Sequence, residues 1–287
     1  MTRAVGAWLP ALALTLNAFT WGVSWWPFRQ LQAAGLHPLW ATALIYAVAV
    51  VVITLRQPGA WGELLRAPTL WVLVLASGTT NATFNWAMSI GDVVRVVLLF
   101  YLMPLWAVLL ARVLLGERFT TMAWVRVALA LVGAAIVLWP DGGSGWPLPH
   151  TLPDWLAVAG GFSFALNNVM LRREAARSPG ARALAMFTGG TVVSAALALS
   201  TGVAVPDTLL APWLAGALAL SLVFLAGNLA LQYGAARLPA NATAVIMITE
   251  VLFASGSAVL LGAGVLTPTL LLGGGLIVLA SLLAARG

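Results

Sequence analysis

Residues 93–115 read VVRVVLLFYLMPLWAVLLARVLL, an apolar stretch of 23 residues with arginines only near its two ends. An α-helix rises 1.5 Å per residue, so a stretch of this length crosses the hydrocarbon core of a bilayer, which is about 30 Å thick. Runs of about twenty apolar residues recur along the chain, ten in all. The sequence therefore predicts an all-α integral membrane protein with ten transmembrane helices.

The ten predicted spans are separated by short connections that contain glycine or proline. Their predicted limits are 7–27, 38–55, 69–90, 93–115, 121–139, 154–172, 182–202, 209–233, 240–262 and 268–285. None of the connections is long enough for a soluble domain. Charged residues make up 8% of the 287 residues and hydrophobic residues 62%, whereas a soluble domain of this size would need a far more charged surface.

The arginines divide unequally between the two sides of this topology. With the N-terminus inside, only Arg29 and Arg95 of the fourteen lie away from the cytoplasmic boundary. Because cytoplasmic loops of membrane proteins carry an excess of basic residues, both termini are predicted to be cytoplasmic. The net charge of +6 is spread over single arginines, so it indicates the bilayer rather than a nucleic acid as the partner.

The two halves of the chain resemble diverged copies of one unit. Three matches occur in the same order at offsets of 147, 143 and 146 residues: 8–9 with 155–156, 85–91 with 228–234, and 114–116 with 260–262. Each copy has five spans, so the second copy (147–287) enters the membrane inverted relative to the first (1–146). Inverted repeats around a site at the midplane are typical of secondary transporters. The alternative is chance similarity among helices rich in Leu, Ala and Gly.

Three features together resemble the drug/metabolite transporter superfamily, EamA type. They are the five-plus-five layout, Trp21-Gly22 in the first span, and YLMPL at 101–105 followed by LGE at 115–117. The branch that the chain resembles most is the YddG-like aromatic amino acid exporters. The resemblance implies a metabolite exporter of the bacterial inner membrane, with a central cavity lined mainly by spans 1, 3, 4, 6, 8 and 9. In the second copy Ala263 replaces the acid of the Gly-Glu pair, and Glu250 stands where the repeat places Pro104.

Glu250 is the sharpest candidate for a functional side chain. It lies near the middle of span nine, where an acid costs about 2.5–3.5 kcal/mol on insertion scales. A carboxylate at this depth is predicted to bind a proton or the ammonium group of a substrate. The alternative is a protonated carboxyl that hydrogen-bonds to a neighbouring helix.

Amide side chains are the second group of predicted substrate-binding residues. They are Asn17, Asn81, Asn85, Asn167 and Asn228. An amide has both donors and an acceptor, so it can bind both ends of a zwitterion. The alternative for each is to join neighbouring helices, a contact worth about 0.6 kcal/mol on average.

Three aromatic residues lie deep within the predicted spans, away from the interfacial belt where tryptophan is common. Trp21, Trp86 and Tyr101 are predicted to stack on an aromatic substrate, with contact to lipid as the alternative. Pro104 in the middle of span four removes one backbone hydrogen bond and is predicted to be a hinge, with a static kink as the alternative.

These observations favour a secondary transporter that exports amino acids, aromatic ones included, or similar small metabolites by alternating access. The alternatives are proton-coupled multidrug or metabolite efflux and a passive channel. An enzyme is not predicted, because the chain has no cysteine, both histidines lie in external loops, and Glu250 has no second acid or base at its depth. No cofactor or metal is expected. The expected partners are a small-molecule substrate, the bilayer and protons, in a monomer or weak oligomer.

Overall fold

The structure is a computed structural model that describes residues 8–116, 120–139, 146–206, 212–235, 237–238 and 246–285. All regular secondary structure in these ranges is helical, which confirms the predicted fold class. The helices are α1 (Trp8–Val23), α2 (Trp25–Ala33), α3 (Pro38–Arg56), α4 (Gly59–Arg66), α5 (Pro68–Ile90), α6 (Val93–Phe100), α7 (Met103–Leu115), α8 (Thr121–Val137), α9 (Leu152–Arg173), α10 (Pro179–Ser200), α11 (Leu214–Ala235), α12 (Thr249–Leu260) and α13 (Pro268–Ala285).

These helices form the ten passes of a multi-pass membrane protein. Helices α1 and α2 make one pass, and so do α6 and α7, because the helix is interrupted only at Ser24 in the first case and at Tyr101–Leu102 in the second. By length and hydropathy alone, four segments of the described residues qualify as spans: Pro38–Arg56, Val93–Leu115, Pro179–Ser200 and Leu214–Leu231. Residues 7, 117, 209–211 and 240–245, which belong to the predicted spans and the LGE motif, lie outside the described residues.

Successive passes run in opposite directions, which inverts the second half relative to the first. Asn17 of α1 donates a hydrogen bond to the carbonyl of Gly227, and Leu14 packs on Gly234, so α1 and α11 are antiparallel. Helices α5 and α9 pack against each other in the same antiparallel way. Helices α1 and α11 are passes one and eight, and α9 and α5 are passes six and three. A repeat that relates pass one to pass six and pass three to pass eight therefore relates one of these pairs of helices to the other. Two inverted repeats related by an axis in the membrane plane produce this arrangement.

Glycine allows two pairs of helices to meet backbone to backbone. Gly78 of α5 faces Gly189 of α10, and Gly133 of α8 faces Gly273 of α13. A Cβ added to Gly189 would lie 2.1 Å from the carbonyl oxygen of Val74, far below any real contact distance. Small residues at such crossings allow the close packing on which membrane helices depend.

Most of the arginines that the structure describes lie at one end of the bundle, which we call the arginine-rich end and which the sequence predicts to be cytoplasmic. They are Arg56, Arg66, Arg112, Arg172, Arg173, Arg177 and Arg182. Helix α4 lies here, a short element that hydropathy did not predict. Its Glu63 accepts hydrogen bonds from the Ser178 hydroxyl (2.6 Å) and backbone N–H (3.2 Å) at the start of α10. These bonds lower the pKa of Glu63 below its usual range.

Candidate functional site

A cavity of ≈ 480 Å³ lies between the two halves of the bundle. All passes except α8 contribute described lining residues. On α9 the lining runs from Phe164 to Asn168, and on α11 it includes Asn228 and Leu231, each in the part of its helix nearer the arginine-rich end. The cavity thus extends from the middle of the bundle toward that end. Its polar lining comes largely from amides and one acid: Asn17, Asn81, Asn167, Asn168, Asn228 and Glu250.

Two interrupted helices meet at the cavity wall. The fourth pass is broken before α7, whose N-cap is Leu102, and the ninth pass is broken before α12, whose N-cap is Ile248. The two N-caps are 146 residues apart, which agrees with the offset of the sequence repeat. Interrupted helices of this kind place helix termini and polar groups near the middle of the membrane in transporters.

The side chains of Tyr101, at the first break, and Glu250, at the second, lie close enough to interact at the cavity wall. Glu250 is the second residue of α12, so its negative charge lies where the helix dipole is favourable. Its backbone carbonyl is held against α1 at Gly22, where a Cβ would lie 2.8 Å from the Glu250 oxygen. Close packing of α1 and α12 therefore fixes the height of this carboxylate in the bundle.

Two buried amides present unpartnered oxygens at the cavity. Asn17 is fully buried, and its Nδ2 donates to the carbonyl of Gly227 at 2.8 Å, whereas its Oδ1 accepts no hydrogen bond. Asn167 is 3% exposed, and its Oδ1 also lacks a partner. An unsatisfied buried oxygen costs about 1–3 kcal/mol, so both positions favour a ligand that supplies donors.

Other polar side chains of the cavity wall already bond within the protein. The Tyr46 hydroxyl donates to Asn81 Oδ1, while Asn81 Nδ2 donates to the carbonyl of Ser77 at 2.8 Å. Asn228 Nδ2 donates to the carbonyl of Phe224 at 2.9 Å. These bonds hold the side chains in fixed orientations along the wall.

Aromatic rings form the apolar part of the wall. Phe100 packs on Phe84 and Phe164, with ring centroids 4.6 and 5.4 Å apart, and Trp21 meets Phe224 edge to face at 4.8 Å. Sequence reasoning missed the phenylalanines. A signal existed, because Phe84 lies three residues after Asn81, and Phe164 three before Asn167, on the same helix faces.

Two predicted site residues lie away from the cavity. Asn85 donates to the Thr42 hydroxyl at 3.0 Å, one turn nearer the opposite end, where α3 covers this face of α5. Trp86 lies with its ring 5.5 Å from that of His37, because five residues rotate a helix position about 140° from Asn81. Trp21, Tyr101, Asn17, Asn81, Asn167, Asn228 and Glu250 do line the cavity. Pro104 is the second residue of α7, directly after the break.

The opposite end of the bundle is closed. Buried side chains such as those of Met88, Val97 and Ala258 fill the space between the cavity and this end. Arg95 of α6 forms a bidentate pair with Asp154 of α9, at 2.7 and 3.1 Å, and also donates to the carbonyl of Val137. Arg29 of α2 donates to the carbonyls that end α5. The Arg95 contacts join three passes at this end, and the Arg29 contacts join two others.

Among the described residues, no titratable side chain from outside the spans lines the cavity. Burial lowers the pKa of His37 at the start of α3, so this ring is neutral at pH 7. Among the residues that the structure describes, no three His, Asp or Glu side chains are grouped so as to hold a metal ion.

Comparison with known proteins gives partial matches of sequence and a full match of fold. Residues 8–139 match the EamA-like transporter family. An uncharacterized transporter of Pseudomonas aeruginosa is 36% identical over 34% of this chain and 34% of its own length. The chloramphenicol-sensitive protein RarD of that species is 30% identical over 42% of each chain. Protein RarD of Salmonella typhimurium is 27% identical over 55% of this chain and 53% of its own.

The matched region thus spans between a third and about half of the length of these curated relatives. One crystal structure of a protein is similar to nearly the whole chain, covering 94% of it and 96% of its own chain with a TM-score of 0.55. At 22% sequence identity this likeness shows a shared fold.

Proposed function

We propose that the chain, whose residues 8–139 match the EamA-like transporter family, is a secondary transporter working by alternating access. Its proposed cargo is small amphipathic metabolites, amino acids and aromatic ones among them. The proposed direction is export across a bacterial inner membrane, with both termini and the arginine-rich end in the cytoplasm.

The observation that carries the proposal is a cavity that packed side chains separate from one end of the bundle. The cavity extends from the middle of the bundle toward the arginine-rich end, and the buried cluster around Met88 and Ala258 lies between it and the other end. In alternating access, two inverted repeats rock about a fixed site, so that each face is closed in turn. On this proposal, the described residues belong to a state that is closed toward the proposed outer face.

The chemistry of the wall supports an amphipathic cargo. Rings of Phe84, Phe100 and Trp21 provide flat apolar surface, and Asn17 and Asn167 provide hydrogen-bonding groups beside it. Binding sites for small metabolites combine a mostly apolar wall with a few placed polar groups in this way. Aromatic side chains add stacking contacts that favour planar substrates.

Proton coupling is a second candidate function, and the position of Glu250 beside Tyr101 in the cavity wall favours it. A carboxyl group exposed to the cavity in one state and buried in the other can carry a proton between the two sides. A passive channel is less well supported, because ion pairs and packed aliphatic side chains close one end.

Counterflow of labelled amino acids into proteoliposomes tests the proposal. We expect accelerated flux that saturates with concentration and is stimulated by unlabelled substrate on the far side. Flux that stays linear to high concentration would identify a channel. Glu250→Gln should abolish any pH dependence of the flux, and Glu63→Gln, an acid at the arginine-rich end away from the cavity, is the matched control.

A further inference from the structure

We infer that the cavity recognises its substrate by a protonated amine and not by a carboxylate. This inference rests on the proposed function and narrows its substrate class to amphipathic amines. Three acceptor groups carry it: Asn17 Oδ1, Asn167 Oδ1 and the Glu250 carboxylate. They come from three different passes and face one cavity.

The buried amides already use part of their donor capacity within the protein, whereas the oxygens of Asn17 and Asn167 accept no hydrogen bond. Asn17, Asn81 and Asn228 each spend an amide N–H on a backbone carbonyl, at 2.8, 2.8 and 2.9 Å. The hydroxyls of Thr80 and Ser281 likewise donate to carbonyls of their own helices. A substrate carboxylate needs several donors, and each of these three amides has only one N–H left to offer, since the other is bonded to the protein.

The charge of the cavity leads to the same conclusion. Glu250 is the only acid among the described lining residues, and no arginine lines the described wall. The sequence contains no lysine. A substrate carboxylate would be desolvated beside a like charge without a cationic partner, which disfavours its binding. An ammonium group would instead meet the Glu250 carboxylate as its counterion.

The dimensions of the cavity allow one ammonium group to use these acceptors. A sphere of ≈ 480 Å³ is about 10 Å across, which is a typical size for a small-molecule site. An ammonium group has three N–H donors, which matches an acid and two amide oxygens. Trp21, which lies one helical turn from Asn17 on α1, offers a ring face that attracts a cation.

Binding of three indole compounds to the purified full chain tests this inference. Tryptamine has an amine and no carboxylate, tryptophan has both, and indole-3-propionate has only the carboxylate. We expect tryptamine to bind about tenfold more tightly than tryptophan, because truncating or opposing one buried charge contact has at least that effect. Indole-3-propionate should not compete. Titration calorimetry gives the three affinities.

Substitutions test whether the preference for tryptamine over tryptophan depends on Glu250 and Asn167. In Glu250→Gln the ratio of tryptamine to tryptophan affinity should fall close to one, and in Asn167→Ala tryptamine should weaken several-fold. Asn85→Ala removes a matched amide outside the cavity and should leave the ratio unchanged. Thermal unfolding identifies any variant that fails to fold. If Glu250→Gln does not fold, the tryptamine affinity of Asn167→Ala still tests the inference.

The results separate this inference from the proposed function. Saturable counterflow of tryptophan with equal or weaker binding of tryptamine would overturn the amine inference and leave transport standing. A ratio that is unchanged in Glu250→Gln would overturn it as well. If none of the three compounds is bound or transported, both proposals are overturned for this class of cargo.

Discussion

Replacing Arg95 with alanine should open the closed end of the bundle. The Arg95 guanidinium joins three passes, through two bonds to Asp154 and one to the carbonyl of Val137. Asp154 is 1% exposed and belongs to a capping box with Thr151 at the start of α9. Loss of the guanidinium therefore leaves a buried carboxylate whose remaining partners are the backbone N–H groups of His150 and Thr151 and the His150 ring, 3.9 Å away.

The size of the effect follows from this burial. Removing one partner of a fully buried pair costs about 3–5 kcal/mol, and because the Arg95 side chain is 23% exposed we expect about 2–3 kcal/mol. The Arg95–Asp154 pair favours the closed state over the open state only if the pair is absent from the open state. If opening breaks the whole pair, the open population should rise about 30- to 150-fold.

Cysteine labelling can measure this shift, because the chain contains no cysteine of its own. Ala258 of α12 is fully buried on the closed side of the cavity, and cysteine is only slightly larger. We expect Ala258→Cys to react slowly with an impermeant maleimide added at the closed end. Arg95→Ala should accelerate that reaction by the factor above, and Arg95→Lys by less, because lysine cannot form the bidentate pair.

Arg66→Ala is the matched control, since Arg66 is exposed at the arginine-rich end. It should leave the labelling rate unchanged. A lower melting temperature in Arg95→Ala together with an unchanged labelling rate would refute the reasoning. The ion pair would then be a structural contact present in both states, and the closed end would open elsewhere.

Three further predictions concern the wall, the packing and the surface. Trp21→Leu should weaken transport of aromatic substrates more than of small ones, whereas Trp86→Leu should affect both equally. Transport rates of one aromatic and one small substrate, measured for each variant, test this prediction. Gly189→Ala should destabilise the fold by about 1–3 kcal/mol through overpacking, and Gly256→Ala, where a Cβ meets nothing within 4 Å, should not; equal melting temperatures would contradict this. Glu63→Gln should lower the melting temperature at pH 7. Because the folded pKa of Glu63 is lowered, that difference should persist above about pH 4.3 and vanish as the pH falls through the folded value.

Hydropathy was sufficient to predict the passes, because a bilayer imposes one length and one polarity on every spanning helix. Helix α4 and the break at Ser24 were not predictable in this way. Helix α4 has eight residues, and a break of one turn leaves the mean hydropathy of a span unchanged. The break at Tyr101–Leu102 had a local signal in Pro104, because proline favours the first turn of a helix.

The candidate site was predictable where a polar residue has no choice but a wet cavity or a partner. Asn17 and Glu250 line the cavity for that reason. Asn85 has the same spacing signal as Asn81, yet it bonds to Thr42, because only the tertiary packing of α3 on α5 decides which amide receives a protein partner. Apolar wall residues such as Phe100 give no signal of their own, since a phenylalanine in a span can equally face lipid.

The paired breaks explain why the second repeat has an acid, Glu250, where the first repeat has Pro104. Pro104 and Glu250 are each the second residue of a helix that begins at the cavity wall. Such a start leaves backbone N–H groups without helical partners. Proline removes one of these donors, and a carboxylate balances their partial positive charge. Both residues therefore solve the same structural problem. A second carboxylate in the position of Pro104, at the same cavity wall, would repel the first and raise the cost of ionising either one. The combination of one proline and one acid therefore leaves a single negative charge at the wall, and that matches a substrate with a single ammonium group.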